Sequence, residues 1–185
     1  MKLLLAILFL FPIYFFAQGQ STEIVLPRDS NTQQITYTGV VMVDSVSADD
    51  LFSRAKFFVA DYFVSQKAVT DLTDEHTKTI LIKPLLKMDL NGFSAAGYSG
   101  YTHYDLKIEN KDGRYRYTIS NFIYYAHTGG ALNPKILTYN LSEEQPKNIT
   151  KAAWEQLHQR LAIQMDQLVD FLKQYMSKAK ASTDF

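Results

Sequence analysis

The sequence predicts an α+β fold, an antiparallel five-stranded sheet in the order β-α-β-β-β-β-α with two helices on one face. Three observations carry this. Several runs alternate apolar and polar residues, the period of a half-buried strand. An early segment and the C-terminal segment instead repeat apolar residues every three or four positions. Between two of the alternating runs stands Asp112-Gly113, a pair that supplies the positive φ angles of a tight hairpin. Amphipathic helices and alternating strands bury their apolar sides together, which leaves the second sheet face to solvent.

The chain opens with Lys2 and an apolar run from Leu3 to Phe16. That run is shorter than the ~20 residues of a membrane span and suits the core of a signal peptide. Ala17-Gln18-Gly19 offers a small-x-small site before Gln20, and Ala17 offers a second before Gln18. Residues 1–19 therefore read as a signal peptide, 20–33 as a polar leader, 34–178 as one domain and 179–185 as a frayed tail. An exported, cysteine-free chain fits a bacterial envelope, periplasmic or secreted, where no disulfide staple is needed.

The first strand holds Ile35, Tyr37, Gly39, Val41 and Val43 in one phase, against Thr36, Thr38, Val40 and Met42. Ser47-Ala48-Asp49-Asp50 is a capping box that starts a helix over 48–64. Its stripe is Leu51, Ala55, Phe58 and Tyr62. A short strand over 67–72 ends in the turn Thr73 to His76. Ile80, Ile82, Leu86, Met88 and Leu90 keep one phase opposite Lys83 and Lys87, with Pro84 marking an edge or a bulge. Tyr104, Leu106 and Ile108 lead into the hairpin, and Tyr115, Tyr117, Ile119 and Ile123 lead out, opposite Arg114, Arg116, Thr118 and Ser120. The pattern lapses over 126–148, where Ile136 to Leu141 is a candidate extra strand.

The last helix spans about 150–178, with a stripe from Trp154 through Leu157, Leu161, Met165, Leu168 and Leu172 to Tyr175. At 1.5 Å per residue it is about 40 Å long, while a six-residue strand covers only about 20 Å. Two outcomes are open for the half holding Leu168, Leu172 and Tyr175. It overhangs the sheet and self-associates, or it packs on Phe57, Phe58 or the leader.

Two stretches, Asp50-Leu51-Phe52-Ser53-Arg54-Ala55-Lys56 and Lys111-Asp112-Gly113-Arg114-Tyr115-Arg116-Tyr117, resemble the family called domain of unknown function 4468, found in exported Bacteroidetes proteins. The resemblance covers roughly residues 35–125. It implies a TBP-like fold and an exported location, and it implies no activity. A fold name carries no DNA binding with it.

Composition narrows the chemistry. With 19 Lys+Arg against 19 Asp+Glu, bulk charge offers no phosphate-neutralising stripe, so nucleic acid is not an expected partner. Without cysteine there is no thiolate for zinc and no thiol nucleophile. His103 and Asp105 share a strand face and His127 lies on a later loop, but no local ligand cluster is present. Gly97-Tyr98-Ser99-Gly100-Tyr101 lacks the final glycine of a nucleophile elbow. Ser53 and Lys56 match an S-x-x-K spacing whose companion motifs are missing. No cofactor, metal or catalytic residue is expected.

What remains is surface. One sheet face should carry Lys83, Lys87, Lys107, Arg114 and Arg116 beside Asp89, Asp105 and Glu109, with Thr118, Ser120 and Tyr124. The loop from Gly92 to Tyr101 adds Phe93, Tyr98 and Tyr101, either as contacts or with Phe93 tucked under the core. The expectation is an exported non-enzymatic domain that binds a protein or glycan through this face. The alternative is a carrier whose apolar cavity is lined by Tyr37, Tyr104, Tyr115 and Tyr117. A hydrolase using Ser53 and His103 is third.

Overall fold

A computed structural model describes residues 24–63, 69–129, 133 and 135–178. The expected signal peptide and the expected tail, 179–185, lie outside these residues. Among the described residues no helix is long and apolar enough to cross a membrane.

Seven antiparallel strands form one sheet: β1 (Tyr37–Met42), β2 (Val69–Asp74), β3 (Thr79–Lys83), β4 (Leu85–Met88), β5 (Gly100–Lys111), β6 (Arg114–Thr128) and β7 (Lys135–Asn140). Two helices, α1 (Ala48–Tyr62) and α2 (Lys151–Ser177), complete the fold. The sheet order is β1-β6-β5-β3-β2, with β4 on β5 and β7 on β6.

The count is seven rather than five for two reasons. The run from Ile80 to Leu90 is cut at Pro84, which has no amide to donate to β5. β3 pairs Ile82 with Leu106 and β4 pairs Leu85 with His103, in one continuous register on either side of that break. The other addition is β7, the candidate strand in the long connection, which pairs along β6 from Ile123 to Thr128.

β5 and β6 are 12 and 15 residues long, about 40 and 50 Å at ~3.3 Å per residue. This length settles the fate of α2. Its stripe is buried from Ala153 to Met176, with Leu168 and Leu172 inside the core, so the C-terminal half does not overhang. It meets α1 through rings, with Phe58 against Phe171 and Tyr175. Tyr175 donates to Asp61 at 2.5 Å, and Arg54 donates to the Met176 carbonyl at 2.6 Å. The six-residue strand was the wrong yardstick. Phe57 is exposed and takes no part.

Both helices cover one face. α1 touches β3, β5 and β6, and α2 sets Trp154 against Tyr139 of β7. Ser47 caps α1 by accepting the Asp50 amide, as the capping box predicts. Part of the polar leader belongs to this core. Leu26 is buried, Arg28 bridges to Ile35, and Asp29 accepts the Asn31 and Thr32 amides to close the turn between them. The domain therefore begins before residue 34, because one apolar residue of the leader finds a buried seat.

Candidate binding face

The face away from the helices is built by the outward residues of every strand. Cross-strand rows can be read from the register: Met42, Arg114 and Lys111; then Val40, Arg116 and Glu109; then Thr38, Thr118, Lys107, Leu81 and Leu72. Further along lie Ile123, His103 and Leu85, then Thr138, Tyr125, Tyr101 and Lys87.

A bulge decides which residues of β6 reach this face. The β5–β6 register shifts between His103 and Asp105, so two residues of β6 oppose one of β5, and Asn121 takes a φ of 60°. The extra residue flips the phase of everything after it. Tyr124, expected on the open face, is buried with its hydroxyl donating to the Tyr98 carbonyl. Ile123, Tyr125 and His127 take the outward positions instead. No alternation rule finds this, although Asn is among the residues that most readily adopt a positive φ.

At the hairpin end the electrostatics centre on Glu109. Its Oε1 accepts from Lys107 at 3.0 Å and its Oε2 from Arg116 at 2.8 Å. The Arg116 guanidinium, followed by Lys107, holds this carboxyl down at about 2. Arg114 is exposed and has no ion-pair partner among the described residues. Val40, Glu109, Lys111, Arg114, Tyr115 and Arg116 line a half-open recess of about 260 Å³. Val40 and Met42 are 60% and 63% exposed beside it.

The far end is aromatic. Tyr101 meets His127 edge-on at 5.7 Å between ring centres, and His103 meets Tyr125 at 5.1 Å. Lys87 pairs with Asp89 at 2.9 Å.

Lys83, Lys87, Lys107, Arg114, Arg116 and Tyr101 thus share one face. Phe93 and Tyr98 do not join them. Their loop is tied to the start of α2, where Thr150 donates to the Ser94 carbonyl and Gln156 exchanges hydrogen bonds with the Asn91 backbone. Ala95 plugs into the core while Phe93 stands fully exposed, not tucked under it. Tyr98 packs against the core edge.

The tyrosines of the carrier reading serve as packing. Tyr104 stacks on Phe122 at 5.8 Å, and Tyr37 meets the same ring edge-on. Burial pushes the Tyr37, Tyr104 and Tyr115 hydroxyls well above their ordinary pKa. Tyr117 lies over Gly39, where an added Cβ would stand 2.7 Å from its hydroxyl oxygen. Ser99 accepts the Leu90 amide at 3.0 Å. The Lys56 ammonium is held by Glu75 and by the Phe52 ring. Among the described residues no three His, Asp or Glu side chains gather as metal ligands.

Comparison with known proteins agrees with this architecture. The chain matches the family model "Domain of unknown function (DUF4468) with TBP-like fold" over residues 37–125. The crystal structure of a TBP-like protein from Parabacteroides distasonis superposes with a TM-score of 0.64 at 15% identity, covering 82% of this chain and 98% of that one. A DUF4468 family protein from Bacteroides ovatus gives 0.65 at 8% identity, over 84% and 92%. No curated protein sequence matches the chain. At such identities the superpositions speak for the fold alone, while the family match rests on the segment from β1 into β6, which includes the hairpin motif. Over residues 37–125 the chain carries the domain of unknown function DUF4468, with a TBP-like fold.

Proposed function

We propose that the protein is an exported, non-catalytic envelope domain that holds a protein or glycan partner against the uncovered face of its sheet. The observation that carries this reading is the sidedness of the fold. Both helices pack on one face, and the other presents exposed Val40, Met42, Leu72 and Ile136 among cations and rings. An antiparallel sheet tolerates water on one side, but large apolar side chains there are better spent on a partner. The non-catalytic part is supported by the commitments of the tempting groups. The Ser99 hydroxyl fastens a loop, and the Lys56 ammonium is occupied. Export is supported by the apolar run from Leu3 to Phe16.

A photo-reactive residue placed at Met42, and separately at Ile163 on α2, tests the reading in the native cell. Both positions are exposed. The expected result is an envelope-fraction adduct from Met42 and none from Ile163. Adducts from Ile163 alone, or a chain retained in the cytoplasm, would overturn it.

A further inference from the structure

The motif Lys111-Asp112-Gly113-Arg114-Tyr115-Arg116-Tyr117 divides cleanly by role. Tyr115 and Tyr117 are buried under the helices. Asp112 and Gly113 build the turn and fasten it. The Ala48 amide donates to Asp112 Oδ1 at 2.7 Å, the Val43 amide to the Gly113 carbonyl at 2.8 Å, and the Gly113 amide to the Val46 carbonyl at 2.8 Å. Lys111, Arg114 and Arg116 are left pointing outward, and among the described residues no ion-pair partner takes up Arg114.

Their arrangement costs stability. Lys111 and Arg114 are direct cross-strand partners, and like charges opposite one another destabilise a sheet. The neighbouring rung pairs Glu109 with Arg116, so the same hairpin also contains the favourable alternative. Four cations (Lys107, Lys111, Arg114, Arg116) share this end of the sheet with Glu109, both of whose oxygens are already engaged, and with the turn residue Asp112, whose Oδ1 is taken by the Ala48 amide. In a chain with 19 charges of each sign, that is a local excess.

Building on the open-face reading above, we infer that this end of the sheet is a carboxylate site for an acidic, uronate-bearing glycan. The Arg114 guanidinium offers a planar fork that matches a carboxylate, and Lys111 adds a point charge. Val40 gives the recess an apolar wall. Because the turn is fastened to the start of α1, the backbone that carries the cations needs little ordering on binding.

A glycan suits the face better than an acidic peptide. β5 and β6 are paired on both sides, so their backbones have nothing to give a peptide main chain, and only side chains face outward. From Glu109 to Tyr101 the face runs on for eight residues of β5, about 26 Å at ~3.3 Å per residue. Along it come the Thr38, Thr118 and Ser120 hydroxyls and then the rings of Tyr101, His103, Tyr125 and His127. Sugar hydroxyls pair with the former, and the weakly positive C–H faces of a pyranose lie against the electron-rich faces of the tyrosine rings.

Calorimetric titration of the purified protein tests this with a galacturonate oligosaccharide, its neutral galactose counterpart and a polyglutamate peptide. The galacturonate oligomer should bind, and binding should weaken about tenfold or more from low to high salt as screening shortens the reach of the cations. The K111Q/R114Q double variant should lose at least tenfold in affinity while its urea midpoint holds or rises, since two opposed charges are gone. Equal binding of the neutral sugar, equal or tighter binding of polyglutamate, no binding of galacturonate, or unchanged affinity in the double variant would each overturn the assignment of this end of the sheet to a uronate-bearing glycan. The Met42 adduct separates the two readings. If it persists, only the glycan assignment falls; if it too is absent, the open-face reading falls with it.

Discussion

Ile119 and Arg116 stand three residues apart on β6 and face opposite ways. Ile119 is fully buried, beneath the helices, while Arg116 lies outside, paired with Glu109 at 2.8 Å. Ile119→Ala should therefore cost about 2–5 kcal/mol, and Arg116→Ala less than about 1 kcal/mol. Urea midpoints of the two variants check the ranking. Glu109 adds a pH signature. Its folded pKa is depressed from 4.5 to about 2, so its contribution is present above about 4.5 and is lost as pH falls toward about 2. Arg116 is more than half exposed and Glu109 about one-fifth, so solvent screening limits this contribution to on the order of 1 kcal/mol. Glu109→Gln should flatten the fall in stability between about pH 5 and about pH 3 by roughly half that amount, read from urea titrations at the two pH values.

At the scale of elements, α2 is the test. Nine of its residues are buried along its whole length, because β5 and β6 provide a floor as long as the helix. Truncation after Met165 removes Leu168, Val169, Leu172 and Met176 from the core, along with the rings that meet Phe58. The shortened chain should fail to fold cooperatively, seen as loss of the thermal transition in circular dichroism. A folded, monomeric product would mean that this half of the helix is dispensable. The helix bounds were legible beforehand to within two residues, since capping and a 3.6-residue stripe are local signals. Strand lengths were not, because where a strand stops depends on what pairs beside it.

For the whole molecule, protection should follow the sheet order. β5 and β6 are flanked on both sides, whereas β1, β2 and β7 lie at edges. Amide exchange measured by mass spectrometry should leave Leu106–Ile108 and Tyr115–Ile119 protected longest and release β2 and β7 first. Simultaneous loss across all strands would show that the sheet opens only by global unfolding.

The hydrophobic alternation, the capping box and the Asp-Gly hairpin were sufficient to specify an antiparallel sheet under two helices. They also placed Lys83, Lys87, Lys107, Arg114 and Arg116 on its outer face, because the side-chain period of a strand is a property of the strand alone. Three things belonged to the tertiary structure. Asn121 could bulge only against β5, and that bulge sent Tyr124 inward and brought Ile123, Tyr125 and His127 out. Phe93 and Tyr98 left the face because Thr150 and Gln156, more than fifty residues later, hold their loop at the start of α2. Lys111 and Arg114 became a like-charged rung only once the hairpin set them opposite each other. Each of these depends on a contact between distant residues, and periodicity within a single segment carries no information about such a contact.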